Sequence, residues 1–187
     1  MKAQIFLVGF MACGKTTVGP LLAEKLGRPF IDLDVLIAAQ VGCTIFEMVR
    51  QQGEAAFREL EATELLLVAQ GPPAVIAPGG GAITIETNRA AMRQYGLTLW
   101  LDTPFEVCWQ RIVNDGTTRP LAPDETTARS RYATRLPLYQ ASDLHLMVSA
   151  NDLPEEIAEN AMVLSSGTGV CAGSDDTPSL PQRGSIK

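Results

Sequence analysis

The chain has 187 residues, 46% of them apolar, and a formal net charge of −6. This length suits a single domain with a full core, and this apolar content excludes disorder of the chain as a whole. The acidic balance argues against nucleic acid as a partner, and no apolar run approaches the roughly 18 residues of a membrane span, so no membrane partner is expected.

The first predicted element is an apolar strand, Ile5 to Val8, which runs directly into Gly9-Phe10-Met11-Ala12-Cys13-Gly14-Lys15-Thr16. Because the strand leads straight into this loop, the N-terminus reads as part of the fold and not as a signal peptide. A helix follows from Lys15 to Leu26, with Val18, Leu21, Leu22 and Leu26 at helical spacing and Gly27 as its stop. Phe30 and Ile31 form a short second strand, closed by Asp32-Leu33-Asp34. Thr44 and Glu47 have the spacing of a capping box and open a long helical region to Ala69, softened at Gly53 and ended by Pro72-Pro73.

A compact strand, Ala74 to Ala77, leads into Pro78-Gly79-Gly80-Gly81. Residues 86–95 read as helix and Leu97 to Leu101 as strand. Thr103-Pro104-Phe105-Glu106 reads as a second capping box, opening a helix to about Val113. Asn114 to Asp124, polar and broken by Gly116, Pro120 and Pro123, reads as a mobile loop. A helix from about Glu125 to Tyr139, which Pro137 could locally interrupt, a strand from Leu144 to Val148, and a helix capped by Asn151-Asp152 and running to about Leu164 complete the pattern. Five strands alternating with helices predict an α/β fold with a parallel sheet covered on both faces. The single domain then spans residues 1–164, with a lid at about 112–124, and the Gly-, Ser-, Thr-, Asp- and Pro-rich segment 165–187 reads as a disordered tail.

The loop at 9–16 fits G-x-x-x-x-G-K-[ST] at full length, in the strand–loop–helix setting this pattern requires. Its glycines allow a tight turn whose N–H groups point at phosphates, and the following helix adds its positive end. Met11, Ala12, Cys13, Gly14, Lys15, Thr16 and Thr17 are the candidate nucleotide-binding residues. Lys15 is placed to reach the β and γ phosphates, and the Thr16 hydroxyl to ligate Mg²⁺. Asp32 ends the second strand, where the C-terminal strand edges of an open α/β sheet line the ligand crevice. Its carboxylate can hold a magnesium-bound water or cap the next helix. Asp34, two residues on, can face the same cleft.

A second set of residues points to a second substrate. Arg58 and Glu61, three apart on a helix, can pair, which would hold the guanidinium for bidentate contact with a ligand carboxylate; a plain surface pair is the alternative. The run Gly79-Gly80-Gly81 costs backbone entropy and lets main-chain N–H groups approach a ligand closely, unless it is only a flexible turn. Arg119, in Thr118-Arg119-Pro120-Leu121, would bring charge to the phosphates from a lid that excludes water. Arg135 is a further anion anchor, and Arg111 can lie over an adenine face. With Arg129 and Arg131 these form a local cationic stretch suited to a small anionic ligand or, one by one, to a solvated helix face.

Other chemistries are excluded. Lysines stand only at 2, 15, 25 and 187, none in an N-K-x-D motif, and no D-x-x-G follows an apolar strand, so the chain is no GTPase. Cys13, Cys43, Cys108 and Cys171 show no C-x-x-C spacing, and with His145 as the one histidine they make neither a zinc site nor a disulfide scaffold. A reducing cytoplasm is the expected location. His145, inside a strand, reads as structural.

Taken in order, these motifs resemble shikimate kinase. The resemblance is carried by Gly9-Phe10-Met11 through Thr16-Thr17-Val18-Gly19, then Phe30-Ile31-Asp32-Leu33-Asp34, Phe57-Arg58-x-x-Glu61, Gly79-Gly80-Gly81, Thr118-Arg119-Pro120-Leu121 and Arg135-x-Pro-Leu-Tyr139. It covers residues 4 to about 163. It implies a three-layer fold of the nucleoside monophosphate kinase group, with a five-stranded parallel sheet in the order 2-3-1-4-5, a mobile lid and a monomeric state. The implied reaction is Mg²⁺-dependent transfer of the ATP γ-phosphoryl group to the 3-hydroxyl of shikimate, giving 3-phosphoshikimate and ADP on the way to chorismate and the aromatic amino acids.

The resemblance also implies roles. Asp34 would bind the ring hydroxyls as base or orienting group, with Lys15 and Arg119 stabilising charge on the transferred group. Arg58, Gly80 and Arg135 would hold the acceptor, Gly79 and Gly81 flanking and Phe57 packing on the ring. Arg111 and the segment Asn151 to Pro154, Pro154 included, would border the adenine, and Asp32 with Thr16 would attend the Mg²⁺. Two alternatives stay open: a related small-molecule kinase such as a gluconate kinase, which would lack the Asp34, Arg58, triple-glycine and Arg135 set, and a nucleotide-binding regulatory module, which would lack Lys15, Asp34 or Arg119.

Overall fold

In the computed structural model, residues 3–115 and 123–167 are described. The strands β1 (Gln4–Val8), β2 (Phe30–Asp32), β3 (Val75–Ala77), β4 (Gly96–Asp102) and β5 (Leu144–Met147) form one parallel sheet in the order β2-β3-β1-β4-β5. This is the strand order and fold expected. β1 lies at the centre, paired with β3 through Ile5↔Val75 and with β4 through Ile5↔Leu97. All five of its residues are buried, which is why Ile5 to Val8 read as a continuous apolar run and not as an alternation. The edge strand β5 alternates in exposure instead, consistent with one open face.

Among the described residues, seven α-helices flank the sheet: α1 (Lys15–Lys25), α2 (Leu33–Val41), α3 (Ile45–Ala69), α4 (Glu86–Tyr95), α5 (Phe105–Asp115), α6 (Glu125–Gln140) and α7 (Pro154–Ser166). α1 and α7 pack on each other, while α3 packs against α2 and α4. Parallel strands joined by helical crossovers bring all their C-terminal ends to one edge. That edge therefore carries Gly9, Asp32, Gly79–Gly81 and Thr103 from β1, β2, β3 and β4.

Four local readings need correction. Asp32-Leu33-Asp34 does not merely close a strand: α2 starts at Leu33, and Asp32 is its N-cap, accepting from the N–H of Asp34 at 3.0 Å and of Val35 at 3.2 Å. The helix is nine residues, apolar on most sides, so it has no 3.6-residue stripe to read. The capping box at Thr103–Glu106 is not formed. The Thr103 hydroxyl donates instead to the Cys13 carbonyl at 3.1 Å, and the Glu106 carboxylate pairs with Arg129. Asp152 accepts from the backbone and hydroxyl of Ser149, leaving Leu153 as the N-cap of α7 and Pro154 as its first residue. α6 runs through Pro137 without a break.

Other readings hold. Thr44 and Glu47 cap α3 reciprocally, and α3 changes direction at Gly53, whose φ of 88° and ψ of 161° are non-helical. Most of the segment read as a lid, including Arg119, and the tail from residue 168 lie outside the described residues. Among the described residues, no helix is long and apolar enough to cross a membrane.

Gln4 ties the end of α3 to the start of β3. Its amide donates to the carbonyls of Ala69, Gly71 and Pro72 at 3.0–3.1 Å, and its oxygen accepts from the Ala74 N–H at 2.7 Å. The side chain is buried, so its loss strands polar backbone groups without water. Gln4→Leu should lower stability by about 2–4 kcal/mol, read as a drop in the urea midpoint at unchanged slope.

Candidate active site

The phosphate loop closes over the end of β1. Gly14 caps α1 in a left-handed conformation, φ 114°, and Ala12 also takes a positive φ, 59°. Such a turn aims successive N–H groups at a common point, and the α1 N-terminus adds its positive end, making an anion cradle. Lys15 curls over this loop, its ammonium donating to the carbonyls of Gly9 at 2.9 Å and Phe10 at 3.0 Å. Cys13 is buried with its thiol turned back toward Gly9. A cavity of about 420 Å³ opens above, lined by Ala12 to Thr17 together with Arg111, Asp152 and Pro154. Arg111 is anchored there by donating to the Ala12 carbonyl at 3.2 Å.

A second cavity, of about 170 Å³, adjoins it and is lined by Asp34, Phe57, Arg58, Gly79 to Gly81 and Arg135, with Glu61 at its base. Met11, read from sequence with the nucleotide loop, lines this second cavity. Gly80 packs this second cavity against the backbone of the phosphate loop. A Cβ there would lie 3.4 Å from the Met11 nitrogen and 3.5 Å from the Gly9 carbonyl oxygen.

The triple glycine is packed, not floppy. A Cβ on Gly79 would stand 2.5 Å from Glu61 Oε1 and 2.8 Å from Asp34 Oδ1, and one on Gly81 would stand 2.7 Å from the guanidinium carbon of Arg58. Two carboxylates and one guanidinium therefore close onto space that only glycine leaves. Gly80 is fixed through its carbonyl, which accepts from Arg135 Nη1 at 3.1 Å and from the Tyr139 hydroxyl at 2.7 Å. Arg135 and Tyr139 lie one turn apart on α6, one on each side of Pro137.

Arg58 and Glu61 pair as the spacing predicted, but in the interior. Arg58 Nη1 donates to Glu61 Oε2 at 2.6 Å, and the Glu61 side chain is fully buried. The other carboxylate oxygen, Oε1, has no hydrogen-bond partner among the described residues. Burial pushes the Glu61 carboxyl up to about 7; Arg58 and Arg135 pull it down, and the charge of Asp34 adds to the rise. Arg58 also stands over the Phe57 ring, 4.9 Å from its centroid, a cation–π contact.

Asp34 occupies the first turn of α2, and the Asp32 cap holds its backbone. Asp32 Oδ1 is engaged in that cap, which leaves Oδ2 for a metal-bound water. Thr16 is exposed at the α1 N-terminus. Arg129 pairs with Glu106 and Glu125 on the surface and lies over the Phe105 ring at 4.2 Å, so it belongs to a helix face and not to the site. His145 is structural: its ring stands edge-on to Trp100 at 5.2 Å. Sequence reasoning did not pick out Ile45, Phe46 and Val49, which supply an apolar wall to the second cavity from the first turns of α3. Their i, i+1, i+4 spacing behind the Thr44 cap was the available signal.

The raised Glu61 carboxyl has a pH consequence. Between its ordinary value and about 7, the folded carboxyl keeps a proton that the unfolded chain has released, so stability falls as pH rises through that window. The urea midpoint of the native chain should fall from pH 5 to pH 7.5 more steeply than that of Glu61→Gln; equal slopes would show that Glu61 does not titrate there.

A family model described as shikimate kinase matches residues 11–166. The shikimate kinase of Nostoc punctiforme is 41% identical over 158 residues, covering 83% of this chain and 86% of its own length. That of Symbiobacterium thermophilum is 41% identical over 161 residues, covering 83% and 92%. The solved shikimate kinase from Acinetobacter baumannii, in complex with shikimate, superposes with a TM-score of 0.82 at 36% identity over 89% of this chain and 94% of that one. A gluconokinase from Sinorhizobium meliloti shares the fold, with a TM-score of 0.55 at 19% identity, covering 89% and 93%. The chain belongs to the shikimate kinase family.

Proposed function

We propose that the chain transfers the γ-phosphoryl group of ATP to the 3-hydroxyl of shikimate, giving 3-phosphoshikimate and ADP. The observation that carries this reading is the Arg58 guanidinium, held by buried Glu61 and facing a cavity that also presents Asp34 and Arg135 and that touches the phosphate loop at Gly80. A clamp of two arginines suits a carboxylate, and an aspartate beside it suits ring hydroxyls.

The residues then divide the work. The N–H groups of Ala12 to Thr17 and the α1 N-terminus hold the phosphates, and Arg111 and Pro154 border the base. Lys15 leaves the Gly9 and Phe10 carbonyls to follow charge onto the transferred group. Arg58 and Arg135 fix the acceptor carboxylate, which orients the ring so that Asp34 meets the reacting hydroxyl and takes or shares its proton. Phosphoryl transfer rests on positioning and electrostatics, so Asp34 contributes chiefly by orienting the hydroxyl. Arg119, outside the described residues, would add positive charge at the transferred phosphate.

The residues present fit Mg²⁺ as these kinases use it. The Thr16 hydroxyl and, through a water, Asp32 would hold the ion beside the substrate phosphates. It would supply positive charge that stabilises the transferred group. No cluster of three acidic, histidine or cysteine side chains is needed for that, and none is found among the described residues.

A coupled assay of ADP release with Mg²⁺ should give turnover with shikimate and little with quinate or gluconate; absence of shikimate-dependent turnover would overturn the reading. Arg58→Ala should raise the KM for shikimate roughly 30- to 100-fold at an unchanged KM for ATP. Asp34→Asn should lower kcat by at least about 100-fold with ATP binding retained.

A further inference from the structure

Arg58 is held by two acids of different character. Glu61 takes Nη1 at 2.6 Å from a fully buried position, whereas Glu54 takes Nη2 at 3.1 Å with 41% of its side chain exposed. Glu54 directly follows Gly53, the point where α3 leaves helical geometry. A second cation stands beside it: Arg131 of α6 has Nη1 4.0 Å from the same Glu54 oxygen. Glu54, Arg58, Arg131, Arg135 and Ser130 border a further cavity of about 240 Å³.

Both terminal nitrogens of Arg58 thus carry a carboxylate before any ligand arrives. A ligand carboxylate that engages the guanidinium with both oxygens needs an edge of it. Glu61 is not free to yield: withdrawn from Arg58 it would be a fully buried carboxyl without its partner. Glu54 can yield, because it is exposed, sits at a bend of the backbone and has Arg131 within reach.

We propose that Glu54 is a placeholder carboxylate, occupying Arg58 in the ligand-free protein and passing to Arg131 when the acceptor carboxylate takes its place. This rests on the reading of Arg58 as the acceptor clamp. The placeholder keeps the guanidinium in its bound orientation while the site is empty, and it raises the threshold for small anions that have a charge but no ring to pack on Phe57. It makes Glu54 and Arg131 positioning residues that set acceptor affinity without touching the reacting atoms. Exposed ion pairs are weak, so the exchange changes affinity modestly, by roughly two- to fivefold.

Calorimetric titration of shikimate into the full chain tests this with four proteins: native, Glu54→Gln, Arg131→Gln and the double variant. Glu54→Gln should bind shikimate roughly two- to fivefold more tightly, because the internal competitor is gone. Arg131→Gln should bind more weakly by a similar factor, and this loss should vanish in the Glu54→Gln background, because Arg131 acts by receiving Glu54. Weaker or unchanged binding in Glu54→Gln would overturn the proposal and leave Glu54 as a plain support for Arg58. An Arg131 effect of equal size in both backgrounds would overturn it in favour of general attraction of an anion. Failure of the native chain to bind shikimate would overturn the acceptor reading and this inference together, whereas native binding without tightening in Glu54→Gln removes the inference alone.

Discussion

A carboxyl taken entirely out of water stays ionised only with a cation against it, and Glu61 has Arg58. The arrangement of the acceptor side follows from that requirement. Glu61 reaches the floor of the cavity only because Gly79 has no side chain, and Arg58 lies flat only because Gly81 has none. Between them, Gly80 binds α6 through Arg135 and Tyr139 and comes close to the phosphate loop. Three consecutive residues after β3 therefore connect α2, α3, α6 and the donor loop. The approach of the second cavity to the phosphate loop is set by backbone packing at Gly80.

The pair is not there for stability. Buried ion pairs contribute little net, since desolvation of two charges offsets their attraction. What burial supplies is position. A guanidinium locked on one side by a buried partner presents its remaining donors in one orientation, so less freedom is lost when a carboxylate binds. Asp34 is fixed by the same kind of local device, the Asp32 cap beneath it. A kinase of a small acceptor depends on such fixing, because a misplaced hydroxyl loses to water.

Much of this was legible in the chain. The phosphate loop is a local motif whose geometry is carried by its own residues, and the capped start and Gly53 softening of α3 were visible in Thr44, Glu47 and Gly53. The sheet was readable because a strand buried on both faces is apolar throughout, as in Ile5 to Val8. The helix α2 was not, because its residues are apolar on most sides and give no stripe. The Thr103 hydroxyl was misassigned because a cap and a contact to a loop 90 residues earlier have the same local sequence. The i, i+3 spacing of Arg58 and Glu61 announced a pair, but nothing local could say that it faces inward. That depends on Gly79 and Gly81, which arrive from another strand. The apolar wall of Ile45, Phe46 and Val49 was hidden for the same reason.

The packing of two carboxylates on Gly79 is the most direct point at which to test this construction. Calorimetric titration of Gly79→Ala with shikimate and, separately, with ADP and Mg²⁺ isolates it. A methyl group there displaces Glu61 and Asp34 together, so shikimate binding should be lost while nucleotide binding stays close to that of the native chain. Native-like affinity for shikimate in Gly79→Ala would contradict the claim that the acceptor site is built on that glycine.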